Sequence, residues 1–304
     1  MNIINTERPY TYDILQQDTA TLCREYPFLK TFSLGQSVHG RELIALSWGE
    51  GQKRLFLNGA HHGMEWITSL LLMKLLEEFC HHYQNGTSIG NVHFPSLFSN
   101  ITIVFCPMVN PDGVQLALCG LTEDLPTITK TRLKAYNGGS NDFSAWQANL
   151  NGVDLNHNYN AAFEKGVFYQ HKLGIYGPGP TRFSGPAPES EPESYAMAEY
   201  TRTNVPDIVV AYHTQGEIIY YDFDSKATAR GKEMAAAMAE ISGYELDQSE
   251  GIAAYSGYKD WVINALYLPA FTIEAGLGKN PLPLSQFDKI YRDNLNMLLY
   301  LVQA

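Results

Sequence analysis

Arg54-Leu-Phe-Leu-Asn-Gly59, followed after Ala60 by His61-His62-Gly-Met-Glu65-Trp66 and Ile67-Thr-Ser-Leu-Leu-Leu-Met-Lys-Leu-Leu76, is the stretch that decides the fold. The first segment is an apolar run of strand length, and Glu65 through Tyr83 reads as a long helix that is apolar on most sides and therefore buried. A strand feeding directly into a buried helix is a building step of an α/β fold. His62 and Glu65 stand at the junction, three residues apart. Alone, His-x-x-Glu fits an N-terminal histidine with a first-turn acid as readily as a metal site. A distant His213 shifts that balance, because two imidazoles and one carboxylate bind Zn²⁺ and leave a fourth position for water, as in hydrolytic zinc.

Three more segments are apolar and β-rich and end on chemically able residues: Asp207-Ile-Val-Val-Ala-Tyr-His213, Ala270-Phe-Thr-Ile-Glu274, and Ile101-Thr-Ile-Val-Phe-Cys-Pro107 running into Asn110-Pro-Asp-Gly113. In open α/β sheets ligands gather at the carboxyl ends of strands, which is where His213 and Glu274 stand. Working outward, periodicity predicts strands at 43–49, 54–59, 101–106, 207–213, 217–223 and 270–275. It predicts helices near 11–26, 65–83, 190–203, 226–242, 258–266 and 284–302. The expectation is one domain over 1–304, with a central mixed, mainly parallel twisted β-sheet flanked by helices. Residues 118–151 and 169–188 read as long loops, either borders of a cleft or surface decoration.

The 304 residues contain no linker-like stretch, and a hydrophobic fraction of 45% supports an ordinary core without disulfides among Cys23, Cys80, Cys106 and Cys119. A formal net charge of −11 excludes the electrostatic footprint of a nucleic-acid binder and disfavours an anionic wall or membrane surface. Residues 1–15 lack the basic start and apolar stretch of a secretory signal, and no run long enough to span a membrane occurs, so a cytoplasmic location is expected. Nothing in the sequence sets the oligomeric state.

His62-Gly-Met-Glu65-Trp66, Asn110-Pro-Asp-Gly113, Gly152-Val-Asp-Leu-Asn156, Tyr212-His213 and Phe271-Thr-Ile-Glu274 follow one another in an order that resembles the zinc carboxypeptidase family. The resemblance runs from about Ser37 to the C-terminal helix. It implies one Zn²⁺ per chain on His62, Glu65 and His213, and Glu274 as the general base. Asp154 would orient a zinc histidine from behind, while Asp112 is expected to shape its own turn.

Departures from the family pattern narrow the substrate. His157 follows Asn156 where the family keeps an arginine for the substrate's terminal carboxylate, and Gln147 follows Trp146 where a second arginine polarises the scissile carbonyl. The family's late-loop tyrosine maps near Ile252, so Tyr255 does not simply inherit its role. These changes, with Asn137-Gly-Gly-Ser-Asn-Asp-Phe-Ser-Ala-Trp146, His213-Thr-Gln-Gly-Glu217 and Tyr255-Ser-Gly-Tyr-Lys-Asp-Trp261, resemble the γ-D-glutamyl-diamino acid endopeptidase branch, which acts on peptidoglycan stem peptides.

That branch implies a small peptide or muropeptide substrate and a charge-complementary pocket. Asn156, His157, Gln147, Arg182, Glu217 and Tyr255 are its expected wall. Arg132, Lys134 and Arg182 are the candidate replacement cations, with Arg182 first as the carboxylate anchor and Glu217 as receiver of a substrate amino group. Two rivals remain: a carboxypeptidase or deacylase on the same scaffold, and a silent binding domain. The complete set of His62, Glu65, His213 and Glu274 argues against the second, since binding alone has no need of an open metal site with a base beside it.

Overall fold

A computed structural model describes residues 3–304 and contains ten strands among them: β1 (Lys30–Gln36), β2 (Glu42–Gly49), β3 (Lys53–Gly59), β4 (Ser88–Ile89), β5 (Val92–His93), β6 (Ile101–Cys106), β7 (Ile208–His213), β8 (Ile218–Tyr220), β9 (Glu245–Asp247) and β10 (Ala270–Glu274). Eight form one sheet in the order β1-β2-β6-β3-β7-β10-β8-β9, while β4 and β5 make a separate hairpin. The central pairings β6-β3, β3-β7 and β7-β10 are parallel, as is the outer pair β8-β9; the remaining three are antiparallel. This is the mixed, mainly parallel α/β sheet expected from the sequence.

Alternation along each strand divides the core between the two faces. Leu55, Leu57, Ile208, Val210, Tyr212, Phe271 and Ile273 join the cluster under the helix Ile67–Gln84 and the C-terminal helix Phe287–Leu301. Phe56, Val209, Ala211 and Ala270 join the opposite cluster with Tyr159, Tyr258 and Trp261. The helix Ile67–Gln84 buries twelve of its residues, so its apolar run reflects contacts on nearly every side rather than one stripe. Among the described residues, no helix is long and apolar enough to cross a membrane.

The turn between β3 and this helix is closed by one side chain. Thr68 Oγ1 accepts from Ala60 N at 2.8 Å and donates to Glu65 O at 2.8 Å. Gly63 is needed for a different reason: a Cβ there would lie 2.4 Å from the backbone of Gly113, so the His62 turn and the Asn110 turn pack backbone to backbone.

Several elements differ from expectation. The strand Lys30–Gln36 is mostly exposed at the sheet edge and has only Phe32 and Leu34 as large apolar residues, and Glu245–Asp247 is an exposed three-residue strand. Residues 118–151 are not one long loop. The helix Thr127–Tyr136 lies within them, and Leu116, Leu125, Leu133, Phe143, Trp146, Ala148 and Leu150 make a small core of their own. The helix Phe163–Lys172 reaches into the second expected loop. The strand expected at 217–223 shortens to Ile218–Tyr220, and the helix expected at 258–266 is an α-helical turn, Tyr258–Trp261, continued by a wider π turn, Val262–Leu266.

Candidate active site

His213 and Glu274 are the last residues of β7 and β10, and the parallel register sets them side by side. His62 and Glu65 follow the end of β3, which pairs with the other side of β7. Strand order alone therefore brings four residues from three distant segments to one edge of the sheet.

Among the described residues, His62, Glu65 and His213 form the group able to hold a metal ion, with donor atoms all within 4.8 Å of one another. Each oxygen of Glu65 faces one ring: Oε1 lies 2.9 Å from His62 Nδ1, and Oε2 lies 2.9 Å from His213 Nδ1. Burial alone would raise the Glu65 pKa, but His62 and His213 hold it down at about 2, so the carboxylate is anionic as a metal ligand must be. On the far side of the His62 ring, Nε2 donates to Asp154 Oδ1 at 3.0 Å. Burial opposes a charge on this ring, but Glu65 and Asp154 raise its pKa well above the ordinary histidine value; a bound metal ion would take the place of the Nδ1 proton that faces Glu65, while Nε2–H stays on Asp154. The donor set and its support both fit Zn²⁺.

Asp154 is held in turn by the backbone N–H of Arg182, which donates to Oδ2 at 2.8 Å from a residue with φ of 64°. Burial opposes its charge, yet His62, His157 and these donors hold its carboxyl well below the usual range. Asn110 ties the same region together: its Nδ2 donates to the carbonyls of His61, Gln147 and Ala148 at 3.0–3.1 Å, and its Oδ1 caps Gly113 N at 2.8 Å. Asp112 accepts from His39 N and Arg41, which makes it a structural anchor of its turn.

Glu274 and His62 share a cavity of about 150 Å³ with Asn156, His157, Gly257, Lys259 and Asp260. Burial first, then the Glu65 charge, push the Glu274 pKa well above the ordinary carboxyl value, against a smaller lowering by His62. A base with raised proton affinity is suited to taking and returning a proton. No ion pair joins Glu274 to Lys279 among the described residues. Burial likewise lowers the His157 pKa, with Asp154 opposing at 4.0 Å, so this ring is neutral near pH 7.

The expected wall is only partly assembled. Asn156 lines the cavity and its Oδ1 accepts from Tyr258 N at 3.0 Å. Gln147 lies behind the zinc histidine: its carbonyl accepts from Gly63 N at 3.0 Å, and its side-chain oxygen accepts from Thr181. The Arg182 guanidinium has no acceptor among the described residues, and its charge is felt at His157.

Two of the expected wall residues are placed outside this cavity. Glu217 does not line the cavity; its carboxylate accepts from Lys289 at 2.6 Å and is already neutralised. Tyr255 stacks on Tyr169, with centroids 5.5 Å apart, and lines a separate cavity with Lys165 and Lys226.

Other site residues gave little warning in the sequence. Asn280 Nδ2 donates to Thr214 O at 2.7 Å and reaches Glu65 Oε1 at 3.4 Å. His61 stacks on His213 at 5.5 Å and pairs with the Tyr159 hydroxyl at 3.0 Å. The Asn280-Pro281 step reads only as a turn signal, and His61 is masked by the more eloquent His62 beside it.

An open metal site of two histidines and one glutamate, with a carboxylate base on the neighbouring strand, defines a zinc-dependent hydrolase. The chain belongs to the zinc carboxypeptidase family, whose match spans residues 15–297. It is 37% identical over 297 residues to gamma-D-glutamyl-L-diamino acid endopeptidase 1 of Lysinibacillus sphaericus, covering 98% of this chain and 73% of that protein. An uncharacterized Bacillus subtilis protein is 31% identical over 97% of this chain and 77% of its own length. Bovine thrombin-activatable fibrinolysis inhibitor, solved with a tick carboxypeptidase inhibitor, shares the fold with a TM-score of 0.70 at 18% identity, over 98% of this chain and 97% of that one.

Proposed function

We propose that this zinc peptidase hydrolyses the γ-D-glutamyl–diamino acid amide bond of peptidoglycan stem peptides, diaminopimelate being the diamino acid. The observation that carries the reading is His157: a partly buried neutral ring lines the cavity where trimming a free C-terminus calls for a permanent cation. The Lysinibacillus sphaericus relative, whose name states this activity, supports it. With a net charge of −11, soluble muropeptides in the cytoplasm suit the protein better than an intact anionic wall.

His62, Glu65 and His213 would hold the Zn²⁺, which when bound supplies a Lewis acid for the scissile carbonyl and lowers the pKa of water. Glu274 takes a proton from the attacking water as its oxygen bonds to the carbonyl carbon. It then delivers that proton to the leaving nitrogen as the C–N bond breaks, so one carboxylate serves as base and then acid. Asp154 keeps the His62 ring in one tautomer throughout. The Arg182 guanidinium, which has no acceptor among the described residues, is our candidate for a substrate carboxylate.

The test is digestion of L-Ala-γ-D-Glu-diaminopimelate and of ordinary peptides by the zinc-loaded protein, with products identified by mass spectrometry. Cleavage of the γ-D-glutamyl bond is the expected result. Efficient removal of C-terminal L-residues from ordinary peptides, with the stem left intact, would favour the carboxypeptidase reading.

A further inference from the structure

The cavity beside Glu274 ends on an adjacent pair of opposite charges, Lys259 and Asp260, that are 4% and 3% exposed. Their place follows from the helical turn that carries them. Tyr258 and Trp261, three residues apart, pack into the core, which leaves Lys259 and Asp260 for the cavity wall. A lysine-aspartate step by itself reads in sequence as solvated surface; here it falls within Tyr255-Ser-Gly-Tyr-Lys-Asp-Trp261. Taking both charges out of water costs about as much as their mutual attraction returns, so stability is a weak reason for such a pair.

Neither partner is saturated by the other. An ammonium carries three donors. Lys259 Nζ donates to Asp260 Oδ1 and, at 2.6 Å, to the Asp222 carbonyl, and its third N–H has no acceptor among the described residues. Asp260 Oδ2 likewise accepts no hydrogen bond among them. Gly257, also in the cavity wall, leaves that oxygen open: a Cβ at this position would sit 2.7 Å from Asp260 Oδ2. One spare donor on a cation and one spare acceptor on an anion thus share the wall of a single small cavity. Glu217, the acid expected to receive a substrate amino group, is spent on Lys289.

We infer that Lys259 and Asp260 form a receptor for a zwitterionic amino-acid head group at the end of the substrate's side chain, Lys259 taking its carboxylate and Asp260 its ammonium. This rests on the proposed function and sharpens it. Diaminopimelate carries both charges on the far carbon of its side chain, lysine keeps only the ammonium, and 2-aminopimelate keeps only the carboxylate. Charge-assisted hydrogen bonds made in a closed pocket discriminate strongly against ligands that leave a partner unpaired.

The experiment measures kcat and KM of the zinc-loaded enzyme on three stems, L-Ala-γ-D-Glu followed by meso-diaminopimelate, L-lysine or 2-aminopimelate. Calorimetric binding of the three free amino acids runs alongside. The diaminopimelate stem should be preferred over each of the others by about tenfold to a hundredfold in kcat/KM, chiefly through KM.

Lys259→Met should collapse the preference over lysine toward one, and Asp260→Asn the preference over 2-aminopimelate, each without collapsing the other ratio. Zinc content and melting temperature of both variants are measured, and the substrate panel on the unmodified enzyme needs no variant at all. Equal cleavage of all three stems, or variants that depress all three alike, overturns the receptor. If no stem is cut but the free diamino acid binds selectively through Lys259 and Asp260, the receptor stands and the proposed reaction falls. If no stem is cut and the free amino acids bind without distinction, both fall.

Discussion

The zinc centre and the substrate wall lie against each other, yet they are built by different means. Each candidate metal ligand, like Glu274, stands at or just past the end of a central strand, and these positions follow from register: Glu274 opposite His213, and β3 alongside β7. The wall comes from loops and short turns, where one neighbour decides what a side chain does. Lys289 holds Glu217 and Tyr169 holds Tyr255 away from the cavity, while Arg182 has no acceptor for its guanidinium among the described residues. Positions set by a sheet can be read from sequence; positions set by a single long-range partner cannot.

This contrast makes the zinc centre intolerant and the wall graded. Glu274→Gln should show the largest effect short of losing the metal. Zinc and fold are retained, and kcat falls by at least about 10²-fold, because an amide cannot take the water's proton. Steady-state kinetics with metal analysis reads this, and turnover near that of the unmodified enzyme would move the base elsewhere.

Asp154→Ala removes the acceptor from His62 Nε2 and frees the ring to turn. Zinc affinity, measured by competition with a chelator, should drop about tenfold to a hundredfold. Unchanged affinity would mean that the ring is held by packing alone.

Arg182→Ala tests the wall. The backbone N–H that supports Asp154 survives the substitution, so zinc binding should persist while kcat/KM on the stem peptide falls by about tenfold to a hundredfold. Unchanged kinetics would remove Arg182 as the anchor and leave the zinc chemistry intact.

The smallest effect on activity is expected beneath the loop that carries Asp154. Glu193 is fully buried, accepts from Val38 N and Asn149 Nδ2 at 3.1 Å each, and has its pKa pushed up to about 8, first by burial. Below the unfolded value of 4.5 both states hold the proton and the group leaves stability unchanged. As pH rises from there to about 8 the unfolded chain ionises first, so stability declines, and it levels off above 8. Glu193→Gln should flatten this decline by on the order of 1 kcal/mol per pH unit or less, with kcat unchanged. Denaturant melts at pH 5 and pH 8 compare the two proteins, and parallel pH dependences would show that Glu193 ionises freely in the folded state.

The central strands were legible because parallel strands buried on both faces read as continuous apolar runs, and because two of them end on His213 and Glu274, residues with metal or base chemistry. The edge strands Lys30–Gln36 and Glu245–Asp247 lack that signal, being exposed. The helix Thr127–Tyr136 buries only Leu133, so its polar sequence looked like loop. Lys259 and Asp260 were illegible for the opposite reason, since burial of a charged pair is decided by what surrounds it, and their own residue types argue for water.

Zinc stoichiometry of His213→Ala, measured beside that of the unmodified protein, tests the metal centre most directly. The unmodified chain should hold one zinc, lose all hydrolysis to a chelator and regain it on zinc addition, whereas His213→Ala should neither hold stoichiometric zinc nor hydrolyse. Full zinc content and normal activity in His213→Ala would contradict the site.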